Sequence, residues 1–104
     1  MRVYISGKMT GLERKEIKKR FAIAEAVLWY HGYDVVNPEI ISDFNLSYAE
    51  FMLIDTTLVT MCDAIYMLNN WRDSNGAKEE LALAEAKGLK IMYEVEACQR
   101  IRNT

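Results

Sequence analysis

The 104-residue chain reads as an α/β protein: a small three-layer α/β/α sandwich built on a four-stranded parallel sheet of order 2-1-3-4. Three observations carry this reading. Short apolar or β-branched runs alternate with longer stretches of helical periodicity. Glycines stand where the helical stretches should stop. No repeat, low-complexity tract or Pro/Gly/Ser linker interrupts the alternation. Strand alternating with helix implies right-handed crossovers and a parallel sheet covered on both faces.

The elements follow in order. "RVYIS" (residues 2–6) is β-branched and aromatic, and Gly7 ends it. Residues 12–32 place Ile17, Phe21, Ala24 and Leu28 at helical spacing, with Gly32 as the stop. "YDVVNP" (33–38) is a second short strand, whose extension Pro38 prevents. "SYAEFMLIDTTLVTM" (47–61) begins at Ser47 with Glu50 three residues on, the pattern of a capping box. "DAIYML" (63–68) is apolar throughout, as a strand buried on both faces should be. "SNGAKEELALAEAKG" (74–88) is a helix closed by Gly88, and "LKIMYEV" (89–95) a fourth strand. "EACQRIRNT" (96–104) is expected as a short last helix.

Residues 1–104 are expected to form one domain, since two would each be too small to bury an adequate core. Rossmann-like and flavodoxin-like sheets of this kind bind ligands beyond the carboxyl ends of their strands, where the strand order reverses. That point lies between the first and third strands. "SGKMTG" (6–11) and "NNWRDSNGAKEE" (69–80) both emerge there.

Composition excludes several functions. A net charge of -2 and a pI near 5.4 give no footprint for a nucleic-acid partner. The run "ERKEIKKR" is mixed in sign and reads as a solvated helix face. "MRVYISG" is too short and polar for a secretory core, and no apolar stretch could span a bilayer, so no membrane partner is expected. A reducing, cytoplasmic setting follows, with Cys62 and Cys98 as thiols. Two cysteines and one histidine, widely spaced, do not make a zinc site; neither metal nor cofactor is expected. His31 stands at a helix end, in a capping or surface role.

The two loops hold the candidate chemistry. Gly7 and Gly11 bracket a turn directly after a strand, where backbone amides can approach a ligand. Their spacing fits neither the dinucleotide fingerprint nor the Walker loop. In the second loop Ser74 or Asn75 can cap the helix, Gly76 permits close approach, and the free amides there suit an anion. Glu80 falls within the first turns. It can be a nucleophile kept charged by the helix dipole, or it and Glu79 can complement that dipole from the surface. Asp63 opens a strand and reads as a structural cap. Asp55 lies inside an apolar helix, where a carboxylate needs a partner or a job, and position alone does not decide which.

Taken together, "YISGKMTG", the aspartate of "LIDTTLVTMCDAIYML" and "SNGAKEELALA" resemble the nucleoside 2-deoxyribosyltransferase superfamily. That superfamily includes the 2'-deoxynucleoside 5'-phosphate N-hydrolases and a group of short bacterial and phage proteins. The "YISGxMTG" start and the "W-x-x-S-x-G-A-x-x-E" run are typical of the last group. The resemblance runs from Tyr4 to about Lys90.

It implies a role for each matched position. Glu80, four residues after Gly76, is the catalytic nucleophile, with Glu79 its solvent-facing neighbour. Tyr4, at the end of the first strand, orients that carboxylate. Asp55, eight residues before Asp63, lies near the nucleobase. Ser6, Gly7, Lys8 and Met9 form the loop around sugar or phosphate. Ser74 matches a 5'-phosphate contact of the N-hydrolases. Asp73 stands one residue early for the sugar-binding aspartate of the transferases. Trp71 either stacks over the sugar or base or serves as a packed lid or interface anchor. The first-loop arginine of the N-hydrolases is replaced here by Thr10, with Lys8 as a substitute cation.

The implied activity is cleavage of the N-glycosidic bond of a small-molecule nucleoside or nucleotide, with the sugar passing through a covalent glycosyl-enzyme to water or another base. The rival is a nucleotide-binding or interaction module of the same fold without turnover. Phe51, Met52, Ile54, Leu58 and Met61 exceed one helical stripe, so their helix is expected to pack against a partner subunit in a homo-oligomer.

Overall fold

Strand β1 (Arg2–Ser6) is the axis of the sheet. It pairs in parallel with β2 (Asp34–Val36) on one side and with β3 (Ala64–Met67) on the other, and β3 pairs in parallel with β4 (Lys90–Tyr93). The computed structural model describes residues 1–95, and its sheet order, β2-β1-β3-β4, is the expected one. The last helix read from residues 96–104, and Cys98 with it, lies outside the described residues.

The two-residue period of a strand sorts the core into two halves. Val3 and Ile5 point to one face with Ala64 and Leu68, where α1 (Arg14–Tyr30) covers them with Phe21, Ala24 and Leu28. Tyr4, Ile65 and Met67 point to the other. There α2 (Tyr48–Thr60) contributes Val59, and α3 (Asn75–Ala86) contributes Ala77, Leu81 and Ala84. Register sets Tyr4 beside Val36 and Ile65, and Ser6 beside Met67.

The helix ends follow local chemistry. The capping box at α2 is complete: Ser47 Oγ accepts from the Glu50 amide at 3.1 Å, and Glu50 Oε1 accepts from the Ser47 amide at 2.8 Å. His31 caps the C-terminus of α1, and Gly32 follows at φ +86°, a left-handed turn that suits glycine. Asp63 is structural, its Oδ2 accepting from the Arg2 amide at 2.8 Å.

Two 3₁₀ turns were not anticipated, Pro38–Ile41 and Trp71–Asp73. The first has a readable signal: Asn37 accepts from the Glu39 amide at 3.0 Å, directly before a proline whose missing N–H costs nothing at a helix start. Among the described residues, no helix is long and apolar enough to cross a membrane.

Candidate active site

The site begins with the pleat of β1. Residues two apart share a face, so Tyr4 and Ser6 both point toward α3. Tyr4 lies in the middle of the strand rather than at its end. Across from them, Ser74 caps α3 by accepting from the Ala77 amide at 3.1 Å, which fixes where the helix starts and which face Glu80 presents. Glu80 is 5% exposed. Tyr4 Oη donates to Glu80 Oε2 at 2.7 Å, and Ser6 Oγ donates to Glu80 Oε1 at 2.6 Å. Glu79 is exposed to solvent.

Burial decides the electrostatics. Desolvation raises the Glu80 carboxyl to about 7, against the hydrogen bonds from Ser6 and Tyr4 that favour its charged form; the charges of Asp55 and Glu79 push the same way as burial. The helix dipole invoked to keep this acid charged is outweighed. Burial, then the Glu80 charge, holds the Tyr4 phenol well above its ordinary range, so it stays a proton donor.

Asp55 enters the same cavity from α2. Desolvation raises its carboxyl to about 6. Its Oδ1 is buried and has no hydrogen-bond partner among the described residues. A buried acceptor left open in this way is costly unless something else fills the role.

Between the two acids lies a cavity of about 600 Å³. The first loop lines it with Gly7, Lys8, Met9 and Thr10, and the second with Asp73, Ser74, Asn75, Gly76 and Ala77. The side chain of Asn70 ties the loops together by accepting from the Lys8 amide at 3.1 Å. One face of α2 adds Tyr48, Phe51, Met52 and Asp55 at helical spacing. That spacing is present in the sequence, where Phe51 and Met52 read as part of a face for a partner subunit. Phe51 and Met52 belong to the cavity, and Leu58 packs on the core, rather than to an outer apolar face. The large apolar side chains of α2 that stand exposed, besides Tyr48, are Leu53 and, at its C-terminal cap, Met61.

Two of the expected substrate contacts do not line the cavity, Ser6 and Trp71. Ser6 is 1% exposed and its hydroxyl is taken by Glu80. Trp71 opens a 3₁₀ turn and packs on the core, its ring 6.1 Å from Tyr93 and under the Arg72 guanidinium at 4.7 Å. Gly7 also has a different reason from the one expected. A Cβ there would meet Leu68 Cδ1 at 2.6 Å, so close packing, not ligand approach, demands the glycine. At Gly76 a Cβ would sit 3.3 Å from Met52 Sδ and 3.4 Å from Tyr48 Oη, where α3 starts against α2.

Among the described residues, no three His, Cys, Asp or Glu side chains group as a metal site. The arrangement offers instead a carboxyl gripped on both oxygens and a second carboxyl with an open acceptor, facing one cavity. Two acids in unlike environments are suited to divide the work of nucleophile and proton donor.

Comparison with known proteins supplies context. The family profile described as Domain of unknown function (DUF4406) matches residues 1–93. The solved structure of Clostridium botulinum CMP N-glycosidase, BcmB, is similar to this chain with a TM-score of 0.62 at 22% identity, covering 89% of this chain and 67% of that one. The likeness is one of fold. No curated protein matches the sequence significantly.

Proposed function

The chain belongs to the DUF4406 family, and we propose that it cleaves the N-glycosidic bond of a (deoxy)nucleoside or its 5'-monophosphate, with Glu80 as nucleophile. The observation that carries this reading is the Glu80 carboxyl itself. It is buried at the mouth of the sheet, held on both oxygens by neutral donors, and open to a cavity within the size range of small-molecule sites. The fold neighbour described as a CMP N-glycosidase supports the same reaction class.

The chemistry follows the two-step logic of a retaining glycosidase. A Glu80 oxygen bonds to C1' as the C1'–N bond breaks, and its electron pair leaves with the base. Protonated Asp55 gives its proton to the departing base. The positive charge that develops on the sugar is stabilised by the Glu80 carboxylate beneath it. Asp55, now a carboxylate, takes a proton from water as that water's oxygen attacks C1' and releases Glu80. A second base in place of water gives transfer instead of hydrolysis.

Tyr48, Phe51 and Met52 offer an apolar wall for the base. Lys8 and the amides at the start of α3 offer a place for a phosphate. Leu53 at 69% exposed and Met61 at 58% support a homo-oligomer in which a second copy covers the outer side of α2.

The test is incubation with ribonucleosides, deoxynucleosides and their 5'-monophosphates, followed by chromatography for free base. Release from at least one is expected. Tight nucleotide binding by calorimetry, with no base released from any, would replace the catalyst with a binding module.

A further inference from the structure

We propose that Ser6 is a positioning residue: its hydroxyl clamps Glu80 Oε1 while Tyr4 holds Oε2, fixing the plane in which the carboxylate meets the sugar. This rests on Glu80 being the nucleophile. It adds a residue that touches neither substrate nor cavity, and it reassigns Ser6 from the loop that surrounds the ligand.

The geometry carries the argument. A carboxyl held by one donor can still turn about its Cγ–Cδ bond, because that torsion is broad and nearly two-fold. Donors on both oxygens remove that freedom. The bond from Ser6 is 2.6 Å and that from Tyr4 is 2.7 Å, the lengths of hydroxyl-to-carboxylate bonds. Each oxygen accepts one bond and retains a lone pair, so the grip does not block attack.

Both donors come from one rigid element. β1 is paired on both sides, and Ser6 stands in register with Met67 of β3. Its hydroxyl therefore cannot drift without disturbing the sheet, whereas Glu80 has three side-chain torsions to lose. Precise placement of a reacting group is worth more than its contact energy suggests, because small displacements weaken attack.

The clamp also bears on charge. Of the contacts that favour the ionised form of Glu80 against burial, the bond from Ser6 is the larger and that from Tyr4 the smaller. Removing Ser6 Oγ leaves Oε1 buried with one donor fewer, which disfavours the charged nucleophile. Only a good donor can do this. A thiol occupies similar space and donates weakly.

The experiment compares wild type with Ser6→Ala and Ser6→Cys by three readings: base release against pH, melting temperature, and carboxyl NMR titration of Glu80 in the ligand-free protein. Both variants should lower kcat about 10- to 100-fold with KM within about threefold, since Ser6 is outside the cavity. The alkaline limb of the rate profile, which the higher-lying Glu80 sets, and the NMR titration should both move to higher pH. Ser6→Cys fills the position, so a merely space-filling serine would leave it with wild-type rate and titration; that result overturns the proposal. If the wild type releases no base, the nucleophile reading fails by itself. The titration then still decides whether Ser6 governs Glu80: a shift to higher pH upholds the clamp, and an unmoved titration overturns it.

Discussion

Asp55 and Glu80 reach one cavity from two neighbouring helices, and burial lifts both carboxyls, to about 6 and about 7. Their surroundings differ in kind. Glu80 accepts from two hydroxyls, whereas one Asp55 oxygen accepts from nothing described. A folded protein seldom leaves a buried acceptor open, and on the proposed reading the missing partner is the substrate's base. Because the two charges disfavour each other, the protons belong to the pair as much as to either residue.

The pH profile of base release should be a bell. The productive form, Glu80 ionised with Asp55 still protonated, is the minor singly protonated form because Glu80 lies above Asp55. The rising limb therefore follows the lower value and the falling limb the higher. The maximum is expected between about 6 and about 7. Initial rates across buffers from about pH 5 to about pH 9 check this, and a flat profile over that window counts against the pairing.

Asp55→Asn should stabilise the protein while damaging its activity. The folded-state value of Asp55 lies above its ordinary 3.8, so the favourable contribution of its proton is complete below about 4 and is lost as pH rises through about 6. Above that, the wild type carries a poorly solvated charge that the variant lacks. A gain of about 1 kcal/mol near pH 8, discounted because Asp55 is partly open to the cavity, should vanish near pH 4. Thermal melts at both values test the sign. Base release should fall roughly 100-fold or more with the proton donor gone.

Tyr4→Phe removes one donor to Glu80 and leaves a ring of nearly the same shape in the core. The expected loss in kcat is about 10- to 100-fold, with the alkaline limb moved to higher pH. Unchanged kinetics in a variant with a wild-type melt would mean that this phenol merely fills space.

Much of the fold was legible because local signals agreed with one another. Gly32 and Gly88 mark real helix ends in the left-handed conformation, and Ser47 with Glu50 forms the cap its spacing implies. Parallel order followed from alternation alone. The site was legible in part. A cap, a glycine and a carboxylate stand at the head of α3, the helix start that lines the cavity, and Asp55 stood out as a charge in an apolar run.

What the sequence hid depends on contacts between distant elements. Ser6 reads from the sequence as part of a ligand loop, and its bond to Glu80 emerges only when α3 packs over it. Trp71 could have turned either way, and its place on the core and beside Tyr93 emerges only once β4 joins the sheet. The need for glycine at position 7 lies in Leu68, just past the end of β3, and no local pattern announces it.

Gly7→Ala tests that last point. The new methyl would lie 2.6 to 2.9 Å from three Leu68 side-chain atoms, forcing leucine or strand to shift. A loss of about 1–3 kcal/mol in urea unfolding is expected. Leu68→Ala in the same chain should recover part of it, since the methyl then has room.

The most direct measurement is base release by Glu80→Gln on whichever nucleoside or nucleotide the wild type cleaves best. Glutamine keeps the size of the side chain and an acceptor for the hydroxyls, but it is no nucleophile. The account predicts a fall of roughly 1,000-fold or more, with a melting temperature at neutral pH equal to or above wild type. Base release within about tenfold of wild type would contradict it, since the sugar would then be reached by some other group.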